Sequence, residues 1–383
     1  MHERDVLAYL QPQQDHFLAD LTTLSLMDCG TDDKASVDAV GRVMRARLES
    51  LGMDVESHDG GERGDTLVGR WRGKGRARLL LIGHLDTVYP LGWPEAHPFH
   101  VEGDIARGPG TCDMKAGVLV GLYALDALRA AGFDDVAEIA FILNGDEEVS
   151  SPSSRAIIER EALGRDAVLV LEAARENGDI VSARKGFAQF DLHIRGRAAH
   201  AGVEPEKGRH ALLELAHQIV ALQALNGSIP GATVNIGVAA GGMRRNIVPD
   251  AANAELDVRA TDAAGMDAII TAIRAQVART TVPDTTATLE GGVVRAPMEK
   301  TAASARLVEW CQEAAGALGF TIQDAATGGG SDANNTAALG VPTIDGLGPI
   351  GGLDHSPREY ITISSIVPRT AMLAGLIARI CRG

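Results

Sequence analysis

Cysteine is scarce in this chain of 383 residues: Cys29, Cys112, Cys311 and Cys381 stand far apart, with no CxxC pair. That usage suits reduced thiols in a cytoplasm and leaves a single disulfide open. Positive charge is scarce too. Thirty-six Lys and Arg face 51 Asp and Glu, for a formal charge of −15. Like charge repels nucleic acid and anionic membrane at long range, and only Arg244-Arg245 hint at a basic face, so neither partner is expected. No apolar run reads as long enough to span a bilayer. The first ten residues carry His2, Glu3, Arg4 and Asp5 ahead of any apolar stretch, unlike a signal peptide. GxGxxG is missing, no Walker lysine follows the glycines of GGGSDAN (328–334), and no internal repeat is evident. An enzyme, a small-molecule binder or a protein-interaction module remains, expected in the cytoplasm.

What is present is an ordinary globular composition, 45% apolar and 23% charged, in a chain whose length suggests two domains. Ala35 to Leu51 has helical spacing, and Leu79-Leu80-Leu81-Ile82 is the fully apolar run of a buried parallel strand. Helix over 114–131, strand over 137–143, helix over 153–163 and strand over 167–171 continue a βαβα rhythm. The expected fold is α/β, with a mixed, mostly parallel sheet between helices. From 181 to 195 the pattern alternates as a half-exposed antiparallel strand does. A helix (211–225), two strands (233–238, 254–260), a helix (265–279) and a strand (285–289) follow. That order reads as a smaller α+β domain over 184–296, inserted into a discontinuous domain of 1–183 and 297–383. The latter resumes with a helix (304–318), a strand (341–344) and a terminal helix (364–380).

Chemistry concentrates at predicted strand ends. His84 and Asp86 follow the apolar strand in GHLDT (83–87), Asp113 lies in the glycine-rich GPGTCDMKAG (108–117), Glu147 and Glu148 end FILNGDEE (141–148), and Glu172 ends VLVLE (168–172). His355 lies in LDHSPREY (353–360). Open α/β sheets bind ligands at the carboxyl ends of their strands. Imidazoles mixed with carboxylates suit zinc or a similar divalent ion, and five ligands exceed what one catalytic zinc with an open position takes. Two ions sharing a carboxylate would use them all, and such pairs activate a water between them. Singly, each group reads as a solvated or locally satisfied side chain. An adjacent carboxylate pair after a buried strand is costly unless something positive binds there. Asp86, two residues from His84 on an extended segment, points to the same side and is expected to hydrogen-bond the non-ligating ring nitrogen.

The strings GHLDTV (83–88), GPGTCDMKAG (108–117), GDEEVSSPSS (145–154), AAHAG (198–202), RNIVPD (245–250), GGGSDAN (328–334) and DHS (354–356) together resemble the co-catalytic zinc amidohydrolase/peptidase family. That family contains carboxypeptidase G, aminoacylase, acetylornithine deacetylase and succinyl-diaminopimelate desuccinylase, and the likeness runs in order along nearly the whole chain. The resemblance implies two Zn²⁺, with Co²⁺ or Mn²⁺ as substitutes. It implies His84 and Glu172 at one ion, Glu148 and His355 at the other, Asp113 bridging, and Glu147 as general base. A cis peptide after Asp113 is implied as well. His200 is implied to reach the tetrahedral oxyanion, often across a dimer interface, and Arg259 and Asn246 to grip the substrate's α-carboxylate. Without the family, His200 reads as a solvated loop histidine and Arg259 as a surface arginine on a strand face. Gly330 and its neighbours would let main-chain N–H groups approach that carboxylate closely. Lys185 is a weaker candidate near the domain junction, and Cys112 reads as a buried structural thiol.

The GGGSDAN loop, Glu172 and the stretch 345–356 look closest to the carboxypeptidase G branch. The implied reaction is hydrolysis of an amide in a small peptidyl- or acyl-amino acid, releasing an amino acid with a free α-carboxylate, glutamate being the candidate. An N-acyl amino acid deacylase is the alternative enzyme, and a catalytically silent metal-binding homologue the alternative outside enzymes. The inserted domain is expected to act as a lid and to form a homodimer.

Overall fold

The computed structural model describes residues 2–383 and divides into two units. The first comprises residues up to Ala183, Lys300–Thr327 and Ser331–Gly383. Its main sheet has six strands, in spatial order Asp54–His58, Gly64–Arg72, Glu138–Gly145, Arg78–His84, Ala167–Val170 and Thr343–Ile344. The last four run parallel and the first two are added antiparallel at one edge, which is the mixed, mostly parallel α/β sheet expected. Leu79, Leu80, Leu81 and Ile82 are all buried, because a central parallel strand is covered on both faces. The helix Ala116–Ala130 packs closely enough on the strand ends that a Cβ at Gly117 would stand 1.8 Å from the Leu171 carbonyl oxygen. Only glycine permits that approach.

Two helices that the periodicity does not announce, Glu3–Leu10 and Gln14–Ser25, bury Val6, Leu10, Phe17 and Leu21 in the same core. The terminal helix Ile363–Arg382 corrects the expectation that no apolar run is long enough for a bilayer: by length and composition alone it is. Its apolar length serves the core instead. It lies against the helices Ala302–Leu318 and Ala116–Ala130, with most of its residues buried. Its buried Arg369 donates to the carbonyls of Gly178 and Gly346 at 2.8 and 2.6 Å, tying two loops of the unit together.

The second unit is Arg184–Glu299 with Gly328–Gly330. Its antiparallel sheet, in order Thr233–Gly241, Ala251–Ala260, Gly186–Arg195 and Thr286–Arg295, is backed by the helices Ala211–Gln223 and Ala263–Val277. Ala188, Phe190, Leu192 and Ile194 alternate into its core as a half-buried strand requires. The alternating run 181–195 is not one strand, however. Ile180–Arg184 pairs with Asp324–Thr327 in the first unit, and Gly186–Arg195 starts the second. Gly330, placed by sequence in the first domain, packs in the second. A Cβ there would stand 2.9 Å from the Phe187 ring.

Candidate active site

The parallel strands of the first unit deliver their carboxyl ends to one edge. His84 is the last residue of Arg78–His84, Glu147 and Glu148 follow Glu138–Gly145 by two and three residues, and Glu172 follows Ala167–Val170 by two. Asp113 enters from the irregular turn Thr111–Lys115, where Asp113 and Met114 leave helical φ/ψ and the peptide between them is cis. His355 is presented by a loop in which both it and Leu353 hold positive φ, 58° and 57°. Such backbone is uncommon for side chains of this size and clusters at functional sites.

Asp113 is the centre of the arrangement. Its Oδ1 is 2.8 Å from His84 Nε2 and its Oδ2 is 3.1 Å from His355 Nε2. Glu172 Oε1 lies 3.8 Å from His84 Nε2, and Glu148 Oε2 3.2 Å from His355 Nε2. Three overlapping groups have ligand atoms all within 4.8 Å of one another: His84, Glu147 and Glu172; His84, Asp113 and Glu148; Asp113, Asp354 and His355. Asp354 was not singled out by sequence. Its position next to His355 was the available signal.

The electrostatics are those of a site short of positive charge. Burial and then repulsion from Asp113 push Glu148 up and Glu172 well above the ordinary carboxylate range. Burial works to lower His84, yet its hydrogen bonds to Asp113 and Asp86 carry it well above the usual imidazole value. His355 is pushed up to about 11 by hydrogen bonds to Asp113 and Glu148. Burial would raise Asp113, and the two histidines hold it below the usual carboxylate range. Glu148 Oε1 is buried and has no hydrogen-bond partner among the described residues. Carboxylates and imidazoles that are all shifted upward around Asp113, with an orphaned buried oxygen among them, fit a set of ligands for a cation. The donor set of imidazole and carboxylate fits a divalent transition ion.

Asp86 reaches His84 differently from the expectation. His84 Nδ1 lies 2.9 Å from the Asp86 main-chain oxygen, and the Asp86 carboxylate is farther, at 3.4 Å. The carboxylate is occupied elsewhere: it accepts the main-chain N–H groups of Glu147 and Glu148, each at 3.2 Å, and the Thr31 hydroxyl at 2.8 Å. Asp86 therefore orients His84 and the Glu147-Glu148 turn together, through two different groups.

A cavity of about 530 Å³ borders Asp113 and Glu172, walled also by Cys112, Arg175, Asn177 and Asp354. Burial pushes the Cys112 thiol well up, which leaves it protonated and a poor nucleophile.

The remaining expected residues lie in the second unit. His200 is exposed, and its Nδ1 accepts the Gly202 N–H at 3.2 Å, which leaves the proton on Nε2. Asn246 is beside it in space, since its carbonyl accepts the Ala201 N–H at 3.0 Å. Arg259 lies over the Phe187 ring, 4.5 Å from its centroid, and pairs through Nε and Nη2 with both oxygens of Asp257 at 2.7 and 2.9 Å. Its remaining nitrogen, Nη1, faces the Gly328 carbonyl at 3.4 Å, and Arg184 Nη1 faces that of Gly329 at 3.1 Å. The glycine stretch thus offers carbonyls to guanidinium groups, where N–H groups for a carboxylate were expected.

Comparison with known proteins agrees with this geometry. Residues 80–379 match the model of Peptidase family M20/M25/M40. The chain is 33% identical over 373 residues to carboxypeptidase G2 of Pseudomonas sp. (strain RS-16), covering 95% of this chain and 89% of that protein. It is 28% identical to acetylornithine deacetylase of Myxococcus xanthus over 389 residues, 95% and 97% of the two chains. Among solved structures, aminopeptidase PepT of Bacillus cereus ATCC 10987 superposes with a TM-score of 0.80 at 25% identity, covering 96% of this chain and 98% of that one. The M20 family metallo-carboxypeptidase Sso-CP2 of Sulfolobus solfataricus shares the fold at a TM-score of 0.76 and 16% identity, over 96% and 99%. This chain belongs to peptidase family M20/M25/M40, whose peptidases are metal-dependent, and is a hydrolytic enzyme.

Proposed function

We propose that the enzyme holds two zinc ions and hydrolyses the amide bond of a peptidyl- or acyl-amino acid, releasing an amino acid with a free α-carboxylate, with glutamate as the candidate product. The observation that carries this reading is Asp113, one carboxylate whose two oxygens each face a different histidine. His84 and Glu172 would hold one ion, Glu148 and His355 the other, and Asp113 both. Two divalent ions there supply Lewis acidity at the scissile carbonyl and lower the pKa of water. Cobalt or manganese fits the same donor set.

Glu147, grouped with His84 and Glu172, is the general base. Its carboxylate takes the proton of the attacking water and returns it to the leaving nitrogen. The Nε2–H of His200 donates to the developing oxyanion. Arg259, with Asn246 and the Gly330 stretch, binds the α-carboxylate. Asp257 occupies the Nε side of the guanidinium fork, so the substrate takes the Nη1 side. The cavity beside Glu172 is of a size that takes an acyl group. Likeness to carboxypeptidase G2 supports the glutamate assignment, and likeness to acetylornithine deacetylase supports the second reading, an N-acyl amino acid deacylase. The exposed Leu212, Leu213 and Val220 of the helix Ala211–Gln223 support a homodimer through the second unit. A cytoplasmic location is proposed from the cysteine usage.

The test is release of free amino acid from a panel of peptidyl- and acyl-amino acids by metal-stripped, zinc-restored and Glu147→Gln protein. Zinc-dependent turnover, lowered by about 10²–10⁴-fold in the variant with zinc still bound, is expected. The best substrate separates a glutamate carboxypeptidase from a deacylase. Turnover that survives metal removal, or a variant as fast as the parent, would overturn the assignment.

A further inference from the structure

Behind the cluster, one buried carboxylate has its acceptor capacity filled by the loop that carries Asp113. Glu359 is 1% exposed and lies four residues after His355. Its Oε1 accepts the main-chain N–H groups of Cys112 at 2.7 Å and Asp113 at 3.0 Å. Its Oε2 accepts the N–H of Gly110 at 3.0 Å and the hydroxyl of Tyr89 at 2.6 Å. Three of these four donors belong to residues 110–113, where the main chain is irregular and cannot satisfy its own N–H groups in a helical ladder.

The same carboxylate is fixed to the loop of the second histidine. Glu359 N–H donates to the Ser356 carbonyl at 3.1 Å, and Tyr89 Oη lies 3.0 Å from that same oxygen. Immediately after it, Tyr360–Thr362 pairs with Ile105–Arg107, the strand that leads into the Asp113 loop. One side chain therefore joins the segments that present Asp113 and His355, whose facing atoms are 3.1 Å apart.

The placement is electrostatically expensive. Burying a carboxylate is costly even when it is paired, and among the described residues this one has no cationic partner and sits beside Asp113. Neutral carbonyls would satisfy the same N–H groups without adding charge to an acid-rich site. What a carboxylate adds is two oxygens in one rigid plane, able to hold four donors in a fixed mutual geometry. We propose that Glu359 is a positioning residue for the metal centre: by clamping the main chain of 110–113 to the His355 loop, it sets the separation of Asp113 and His355 at which a divalent cation binds. It touches neither ion nor substrate and acts through the Asp113 main chain. The inference rests on the metal-centre reading above, and it is tested by metal binding instead of by turnover.

Zinc affinity of metal-stripped protein, measured by competition with a chromophoric chelator well below the melting temperature, is the readout. Glu359→Gln keeps the side chain's shape but turns an amide NH₂ toward N–H donors. It is expected to weaken zinc binding by about 10–100-fold, the scale on which supporting residues affect metal sites. Glu138→Gln, at a buried acid on the amino end of the six-stranded sheet, controls for general destabilisation. It is expected to lower the melting temperature and leave zinc affinity unchanged. If Glu359→Gln does not fold, Tyr89→Phe decides, because it removes one of the four donors and is expected to weaken zinc by a smaller but measurable factor. Zinc affinity within about twofold of the parent in whichever clamp variant folds, or equal weakening by Glu138→Gln, would overturn the proposal. A parent protein that binds no zinc would overturn the metal-centre reading with it, whereas normal zinc binding without hydrolysis would count against the proposed function alone.

Discussion

The two ends of the central strands in the first unit carry buried charge in opposite conditions. At the amino ends, Arg70 pairs through two nitrogens with Glu161 at 2.7 and 2.9 Å, and Arg165 bridges Glu138 at 2.7 Å and Glu161 at 3.2 Å. Each buried carboxylate there has a guanidinium. At the carboxyl ends, Asp113, Glu147, Glu148 and Glu172 share two imidazoles, with Glu148 Oε1 left partnerless among the described residues. The same sheet, with the same flanking helices, thus holds one self-sufficient ion network and one that needs cations from outside. Buried charge by itself does not mark a site; buried charge without its counter-charge does.

Breaking the self-sufficient end tests that contrast most severely. Arg165→Ala removes the guanidinium closest to Glu138, while Arg70 still holds Glu161 and Arg72 and Arg78 stay near Glu138. It is therefore expected to cost about 3 kcal/mol in denaturant unfolding, the low end for a broken buried pair, with turnover per folded molecule unchanged. Stripping the metal from the other end is the next largest effect. Loaded protein with free zinc at 100 times the dissociation constant should be about 2.7 kcal/mol more stable than stripped protein, by thermal or denaturant unfolding. The ends are separated by the 7-residue strand Arg78–His84, about 20 Å at 3.3 Å per residue. The two losses should therefore add within about 0.5 kcal/mol, and clear non-additivity would mean that the ends are coupled.

The pH dependence of metal-free protein sharpens the comparison with a smaller effect. Hydrogen bonding to Arg70 lowers Glu161 from 4.5 to about 2. Its folded value is depressed, so its contribution is present above about pH 4.5 and is lost as pH falls toward 2. His355 is raised from 6.5 to about 11, so its contribution is complete below about pH 6.5 and disappears as pH rises through 11. Stripped protein should lose stability on both sides, through different ends of the sheet. Glu161→Gln should flatten the acid side of the unfolding curve, whereas His355→Ala should flatten the alkaline side and, because His355 helps hold Asp113 low, part of the acid side too.

Much of the fold was readable because its signals are local. The Leu79–Ile82 run and the helical periodicity of 35–51 report burial within a few residues of themselves. The helices at 3–10 and 14–25 were not read, because their apolar positions are sparse and their packing partners lie elsewhere in the chain. The run 181–195 looked like one strand because alternation reports faces and says nothing about which sheet a strand joins. At the site, His84, Asp113, Glu147, Glu148, Glu172 and His355 stood out as imidazoles and carboxylates at strand ends and in glycine-rich loops. Glu359 and Tyr89 carried no such mark. An acid in a polar loop looks solvated until the fold buries it.

The order of chain segments, the α/β class, the acidic balance and the chemical kinds of the ligands were determined by the sequence alone, since each follows from residue type and short-range spacing. Tertiary structure decided the rest. It brought positions 113 and 355 to 3.1 Å, gave the Asp86 carboxylate to the Glu147 and Glu148 main chain, and set Glu359 beneath the loops of Asp113 and His355. The first two depend on which segments the sheet places side by side and how their side chains turn. The last depends on which N–H groups an irregular loop leaves unsatisfied, and neither is encoded in the spacing of residues along the chain.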